Sequence, residues 1–334
     1  MTPGADPTAR PPHRPPRAAI LLVPVVVALA LTMFAWPSAR LEPRDLPLGV
    51  AGAPVVAQTL EQRLSAREGA FDVSSYPNEA AARRAIDDRD IYGAFVATPD
   101  GVKVLTASGA SQAVAQLLER AASEIRPRAG AIEVRDVVPA PRGAALASSV
   151  LPLVLAGILA GAVAAHLASG SLARVGLLAA GSALSGLVAA AIVQSWLDVI
   201  DGHWLANAAA LALTVLAIGS VVAGLYALLG APGAIVGALT MVLIGNPFSG
   251  VGSAPELLPR PAGTIGQLMP PGAGGNLLRS TGFFDGAAAG GHVGVLVAWT
   301  AAGLALLLVA GTRVFGRAPP GVHASGPGRQ RAKA

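Results

Sequence analysis

The chain has 334 residues, of which 53% are hydrophobic and 13% charged, with a mean hydropathy of +0.58 and a net charge of +5. Ordinary soluble domains carry about 25% charged residues, so this composition excludes an ordinary soluble enzyme. There is no cysteine, which excludes disulfides, thiolate metal sites and cysteine nucleophiles.

Residues 1–17 form a tail with six prolines (Pro3, Pro7, Pro11, Pro12, Pro15, Pro16), which is incompatible with a helix. The first apolar stretch, Ala18–Trp36, is long enough for a membrane span. A signal peptide is the alternative, since Arg10, Arg14 and Arg17 precede it and Ser38-Ala39 offers a cleavage site, but its apolar core exceeds the usual 7–15 or so residues.

Residues 37–145 are a different material, and 27 of the 43 charged residues fall between Arg40 and Arg142. Alternation predicts strands at Leu46–Ala51, Ala70–Ser74, Ile91–Ala97, Val102–Ala107 and Ala131–Val138. Helical spacing predicts helices at Pro54–Arg67 (Val56, Leu60 and Leu64 on one face), Asn78–Asp88 with Asn78 as N-cap, and Ser111–Ile125. The order βαβαββαβ describes an α/β or α+β domain of one sheet with helices. At about a hundred residues it is large enough for its own core. It has no histidine between Arg40 and Arg142, so a Ser/His/Asp set is not available there.

Residues 146–248 carry four further spans, Ala145–His166, Val175–Leu197, Leu205–Leu229 and Pro232–Phe248. The last two come from one apolar run of 41 residues, Leu205 to Gly245, broken only at Gly230-Ala231-Pro232-Gly233. Residues 249–291 are too apolar for a solvated loop and too rich in Pro and Gly for a span. Short re-entrant or interfacial helices covering an outer mouth fit best, with Pro270-Pro271-Gly272-Ala273-Gly274-Gly275 as the turn between two pieces; such a cover is either a gate or a structural cap. The final span lies in residues 292–312 (Val293–Gly311), and residues 313–334 are a basic tail.

The expected fold class is therefore a polytopic α-helical membrane protein with six transmembrane helices and an α/β domain inserted between the first and second. If both tails are cytoplasmic, that side holds nine basic residues and one acid, and the other side 15 basic and 18 acidic residues. This is the positive-inside pattern. It places both termini in the cytoplasm and the 37–145 domain outside. Twenty-two arginines against two lysines, with abundant Ala and Gly, point to a GC-rich bacterial genome and a bacterial plasma membrane.

One span, a large outer α/β domain and five further spans resemble the layout of bacterial type-2 ABC-exporter permeases and the related YhgE/Pip-like membrane proteins. The segment Asn78 to Val96 resembles their recurring external motif: an AxxAI-type helix, a charged turn (Asp87-Asp88-Arg89-Asp90) and a Tyr-Gly strand (Tyr92-Gly93). The loop from Gly245-Asn246-Pro247-Phe248 to Phe283-Phe284-Asp285-Gly286 is similar to the outer loop before their last span. The resemblance implies a permease subunit for an amphipathic or lipid-like substrate, served by a separate ATPase chain, and it adds to the case for a homodimer. The alternative is a non-transporting surface protein or scaffold whose outer domain binds an envelope or secretion component.

Neither lysine sits in the Gly-Lys-Ser/Thr of a phosphate-binding loop, and the predicted spans carry no ionisable side chain in their interiors, which speaks against proton relays. No catalytic, cofactor-binding or metal site is expected, and no nucleic-acid partner. Asp198, Asp201 and His203 could hold a divalent cation, but they read better as a water boundary flanked by the anchors Trp196 and Trp204. Gly157/Gly161, Gly233/Gly237 and Ser182/Gly186 have small-xxx-small spacing, which favours close packing within the bundle and leaves a homodimer seam open.

Overall fold

The computed structural model describes residues 17–125, 131–141 and 145–315. The proline-rich tail and the basic residues Arg10, Arg14, Arg317, Arg329, Arg331 and Lys333 lie outside them.

Helix α1 (Arg17–Ala39) is a 23-residue helix that runs through Pro24 and Pro37. It leads into β1 (Leu46–Gly52), α2 (Pro54–Ser65), β2 (Phe71–Tyr76), α3 (Glu79–Asp87), β3 (Gly93–Thr98), β4 (Gly101–Thr106), α4 (Gln112–Ile125) and β5 (Ala131–Asp136), the expected order. The five strands form one sheet in the order β2-β1-β3-β4-β5. All neighbours are parallel except β3 and β4, a hairpin that pairs Thr98 with Gly101. Local chemistry sets the element ends. Asn78 Oδ1 accepts from the Ala81 amide at 2.9 Å and caps α3. Ser111 Oγ accepts from the Val114 amide at 3.2 Å and caps α4.

Helices α2 and α4 cover one face of the sheet around Leu48, Leu60, Phe95, Val104 and Leu118. Helix α3 covers the other, around Ala82, Ile86, Ile91 and Val96. On α2 the buried face is Ala57 and Leu60, with Leu64 half-buried, whereas Val56 is 42% exposed. The expected face is thus found at Leu60 and Leu64, and only at Val56 does Ala57 take its place against the sheet.

The membrane-type helices are α5 (Ala145–Leu167), α6 (Ser171–Ala190, closing in a π-helical turn Ala191–Trp196), α7 (Trp204–Leu229), α8 (Ala231–Thr240, closing in a π-helical turn Met241–Gly245) and α11 (Ala289–Phe315). Among the described residues four stretches are long and apolar enough to cross a membrane: Ser148–Leu167, Ser171–Trp196, Trp204–Leu229 and Ala289–Ala310. Helix α8 adds ten residues and a five-residue π turn after a break at Gly230 (φ 72°). That is roughly 22 Å at 1.5 Å per residue, short of the ~30 Å hydrocarbon core.

Helix α7 is the axis of the bundle, with α5, α6, α8 and α11 all packed against it. The small-residue pairs serve this packing inside the chain. A Cβ at Gly161 would lie 2.5 Å from the Gly219 carbonyl oxygen, and one at Gly186 would lie 2.4 Å from that of Ala208.

Between α8 and α11 the chain forms a cap: a 3-10 turn (Pro255–Leu257), α9 (Ala262–Gln267) and α10 (Pro270–Phe283). Short helices were expected here, but Pro270–Gly275 is the start of α10 and not a turn. Two physical reasons apply. Proline is favoured in a first helical turn, where its missing N–H costs nothing. The glycines admit close neighbours, since a Cβ at Gly274 would come 2.4 Å from the Thr214 side chain of α7. The cap also belongs to every core. Ala254 and Leu257 sit in the α2/α4 cluster and Phe284 in the α3 cluster. Val251, Met269 and Leu278 sit in the bundle core.

Candidate functional site

The charged turn after α3 and the buried face of α10 meet at a polar joint. Helix α3 ends at Asp87, and Arg89 turns the chain with a left-handed backbone (φ 66°). This position after a helix favours Gly or Asn. An arginine there stores strain, and its side chain gives the reason. Arg89 Nη1 donates to the Asn276 carbonyl at 3.0 Å and to Ser280 Oγ, and Nη2 donates to Asn276 Oδ1 at 3.1 Å. The guanidinium also lies over the Phe284 ring, 5.4 Å from its centroid.

A second arginine joins from α10 itself. Arg279 is only 5% exposed; its Nη1 donates to the same Asn276 Oδ1 at 3.0 Å and its Nη2 to the Val251 carbonyl at 2.9 Å. Asn276 is thereby the common acceptor of two guanidiniums. Its Nδ2 donates to Gln267 Oε1 at 2.6 Å, and Gln267 Nε2 donates to the Ser249 carbonyl at 2.8 Å, tying α9 and the loop before it into the network. Tyr92, which leads into β3, donates its hydroxyl to Glu256 Oε2 at 2.8 Å.

The electrostatics follow from burial. Withdrawal from water pulls the Arg279 guanidinium down to about 10, and the neighbouring charge of Arg89 pulls in the same direction. Burial likewise lowers Arg89, offset by Tyr92 and the Glu256 carboxylate. Burial raises the Tyr92 phenol, and the charge of Glu256 raises it further. Glu256 is the counter-charge of this cluster. Arg279 Nε, buried, has no hydrogen-bond partner among the described residues.

Beside the joint is a cavity of about 210 Å³ whose lining includes Arg89, Tyr92, Glu256, Asn276 and His292. Chemically the arrangement can fasten, orient and bind. Among the described residues no group of three or more His, Cys, Asp or Glu comes together at metal-holding spacing. Asp198, Asp201 and His203 lie exposed in the loop before α7, with Val199 and Ile200 buried between them. The Asp201 backbone oxygen accepts from Asn207 Nδ2 at 2.7 Å, and Gln194 Oε1 accepts from it at 2.9 Å, which closes the α6–α7 connection. Of the two tryptophans, Trp196 is 78% exposed, and Trp204 Nε1 donates to Ser195 Oγ at 3.1 Å.

Sequence reasoning identified the two segments but not their union. One signal was present: Arg279 is the only charge between Arg260 and Asp285, and an isolated arginine in an apolar helix requires partners. No protein-family model, curated protein or solved structure matches the chain.

Proposed function

We propose that this chain is a permease-like subunit of an ABC-type exporter in a bacterial plasma membrane. It crosses the bilayer six times with both termini in the cytoplasm, acts as a homodimer, and is powered by a separate ATPase chain. Its substrate is amphipathic or lipid-like. The observation that carries the reading is the cap, whose residues are at once part of the α/β domain's cores and of the bundle's core. A helix movement at α7 would be delivered through α10 to Arg89 and the sheet, which is what an exporter driven from the opposite side of the membrane needs. The uncharged run from Trp204 to Gly252 leaves no relay for ion coupling and agrees with an external energy source.

The test is purification of the full chain from its native membrane in a gentle detergent. An ATPase subunit is expected to copurify. Repeated recovery without one, together with unchanged export when the gene is deleted, would defeat the reading.

A second reading is a non-transporting membrane-anchored scaffold whose α/β domain binds an envelope or secretion component. It is favoured by the α5–α6 connection, which is only Ala168-Ser169-Gly170 and offers a partner ATPase little surface. Under this reading deletion of the α/β domain abolishes the phenotype, and no ATPase is recovered.

A further inference from the structure

On the α2/α4 face the two helices do not close over the sheet. Helix α2 packs on β1, β2 and β3, and helix α4 packs on β4 and β5. Between them remains a cleft of about 570 Å³, within the roughly 300–1,000 Å³ typical of small-ligand pockets. Its floor is apolar, made by the half-buried Leu64, Phe71, Leu117 and Ala121 and backed by the buried Leu48, Phe95 and Leu118. Its rim is cationic. Arg63 from the last turn of α2 and Arg67 from the turn just after it lie across from Arg120 of α4, all three with exposed side chains.

The charges on this rim are uneven in a way that selects a ligand. Among the described residues none of these three guanidiniums forms an ion pair. Of the two acids on the rim, Glu42 is already paired with Arg44, which leaves Glu124. The mouth also includes Leu41 and Pro43, just past the end of the apolar helix α1 at Ala39. A deep apolar floor, unpaired arginines at the lip and an adjoining membrane-type helix together describe one kind of occupant.

We propose that this cleft binds a single-chain anionic amphiphile drawn from the adjoining lipid leaflet. The hydrocarbon chain lies on Leu64, Phe71 and Leu117, and a phosphate or carboxylate head is held by Arg63, Arg67 and Arg120. Guanidinium forks match such oxygens with paired, charge-assisted hydrogen bonds. The site uses none of the side chains of the arginine joint, and it stands whether or not the chain transports anything.

The experiment uses the full chain in nanodiscs of zwitterionic lipid, with a diazirine-bearing dodecyl phosphate as the probe. Crosslinks are expected in α2 and α4. Unlabelled dodecyl phosphate should compete them away, and dodecanol should not. The triple variant Arg63→Glu, Arg67→Glu, Arg120→Glu should weaken labelling at least about tenfold, the loss of one or more charge-assisted contacts. These side chains are on the surface, so the fold is not at stake. A second variant, Ala121→Trp, fills the cleft and should abolish crosslinks while leaving the charges in place. Labelling confined to the lipid-facing sides of α1, α5 and α6, equal competition by dodecanol, or labelling unaffected by both variants would overturn the proposal. Because the assay measures binding alone, its outcome is independent of whether an ATPase copurifies.

Discussion

Arg89 is held in a backbone conformation that its side chain does not favour, in exchange for three hydrogen bonds to α10. The two effects can be separated by substitution. Arg89→Ala removes the guanidinium, leaves the fully buried Ser280 hydroxyl without its donor, and keeps a Cβ in the left-handed region. A buried polar group deprived of its partner costs about 1–3 kcal/mol. Arg89→Gly removes the same contacts but relieves the backbone, and at positive φ glycine is favoured over alanine by about 1 kcal/mol. Thermal unfolding of the full chain in detergent should therefore rank wild type above Arg89→Gly and Arg89→Gly above Arg89→Ala. Equal losses in the two variants would show that the turn is unstrained. No loss in either would show that Arg279 and the apolar cap residues hold the α/β domain without Arg89. The outcome also bears on Asn276, whose Oδ1 serves both arginines: with Arg89 gone, Arg279 loses a like-charged neighbour and keeps Asn276 Oδ1 to itself, so part of the cost is returned.

At the scale of elements, legibility depended on how far apart the cooperating residues are. The strands and helices of the α/β domain follow from alternation, from helical spacing and from Asn78 as a cap, all of which are local. The membrane-type helices follow from apolar runs that need no partner to be seen. The start of α10 was misread because Pro and Gly break an isolated helix, whereas here packing against Thr214 and Val251 requires side chains that small. The arginine joint was invisible for a different reason: Arg89 and Asn276 are 187 residues apart, and no periodicity links them. The same distinction governs the glycines of α6, which look alike in the sequence. Gly186 faces α7 with no room for a Cβ, while nothing lies within 4 Å of a Cβ at Gly181. Gly186→Leu should separate α6 from α7 and cost about 1–3 kcal/mol, the usual range for overpacking, and should lower the yield of folded protein. Gly181→Leu should be close to neutral by the same melting measurement. A neutral Gly186→Leu would mean that the α6–α7 contact is looser than described; a damaging Gly181→Leu would place a second copy of the chain against that face.

For the whole molecule, the fold fixes which parts share a side even before a membrane is assigned. The α/β domain is joined to the end of α1 and to the start of α5, and the cap that enters its cores leads directly into α11 at Ala289. The domain, the cap and those helix ends therefore lie together, and the α5–α6 connection lies at the far end of α5. Nine basic residues and one acid belong to the tails and to Arg174 beside that connection, against 15 basic and 18 acidic residues elsewhere. A bilayer that retains arginine on its cytoplasmic side would thus set the α/β domain outside. The absence of cysteine makes this directly measurable. Ser65, exposed at the end of α2, and Ser169, exposed in the α5–α6 connection, can each be replaced by the chain's sole cysteine. On intact cells a membrane-impermeant maleimide should modify Ser65→Cys and spare Ser169→Cys until the cells are permeabilised. The opposite pattern would put the α/β domain and its amphiphile cleft in the cytoplasm. The arginine joint would then lie on the ATPase side of the membrane, and export driven from the far side through α7 would have no physical route.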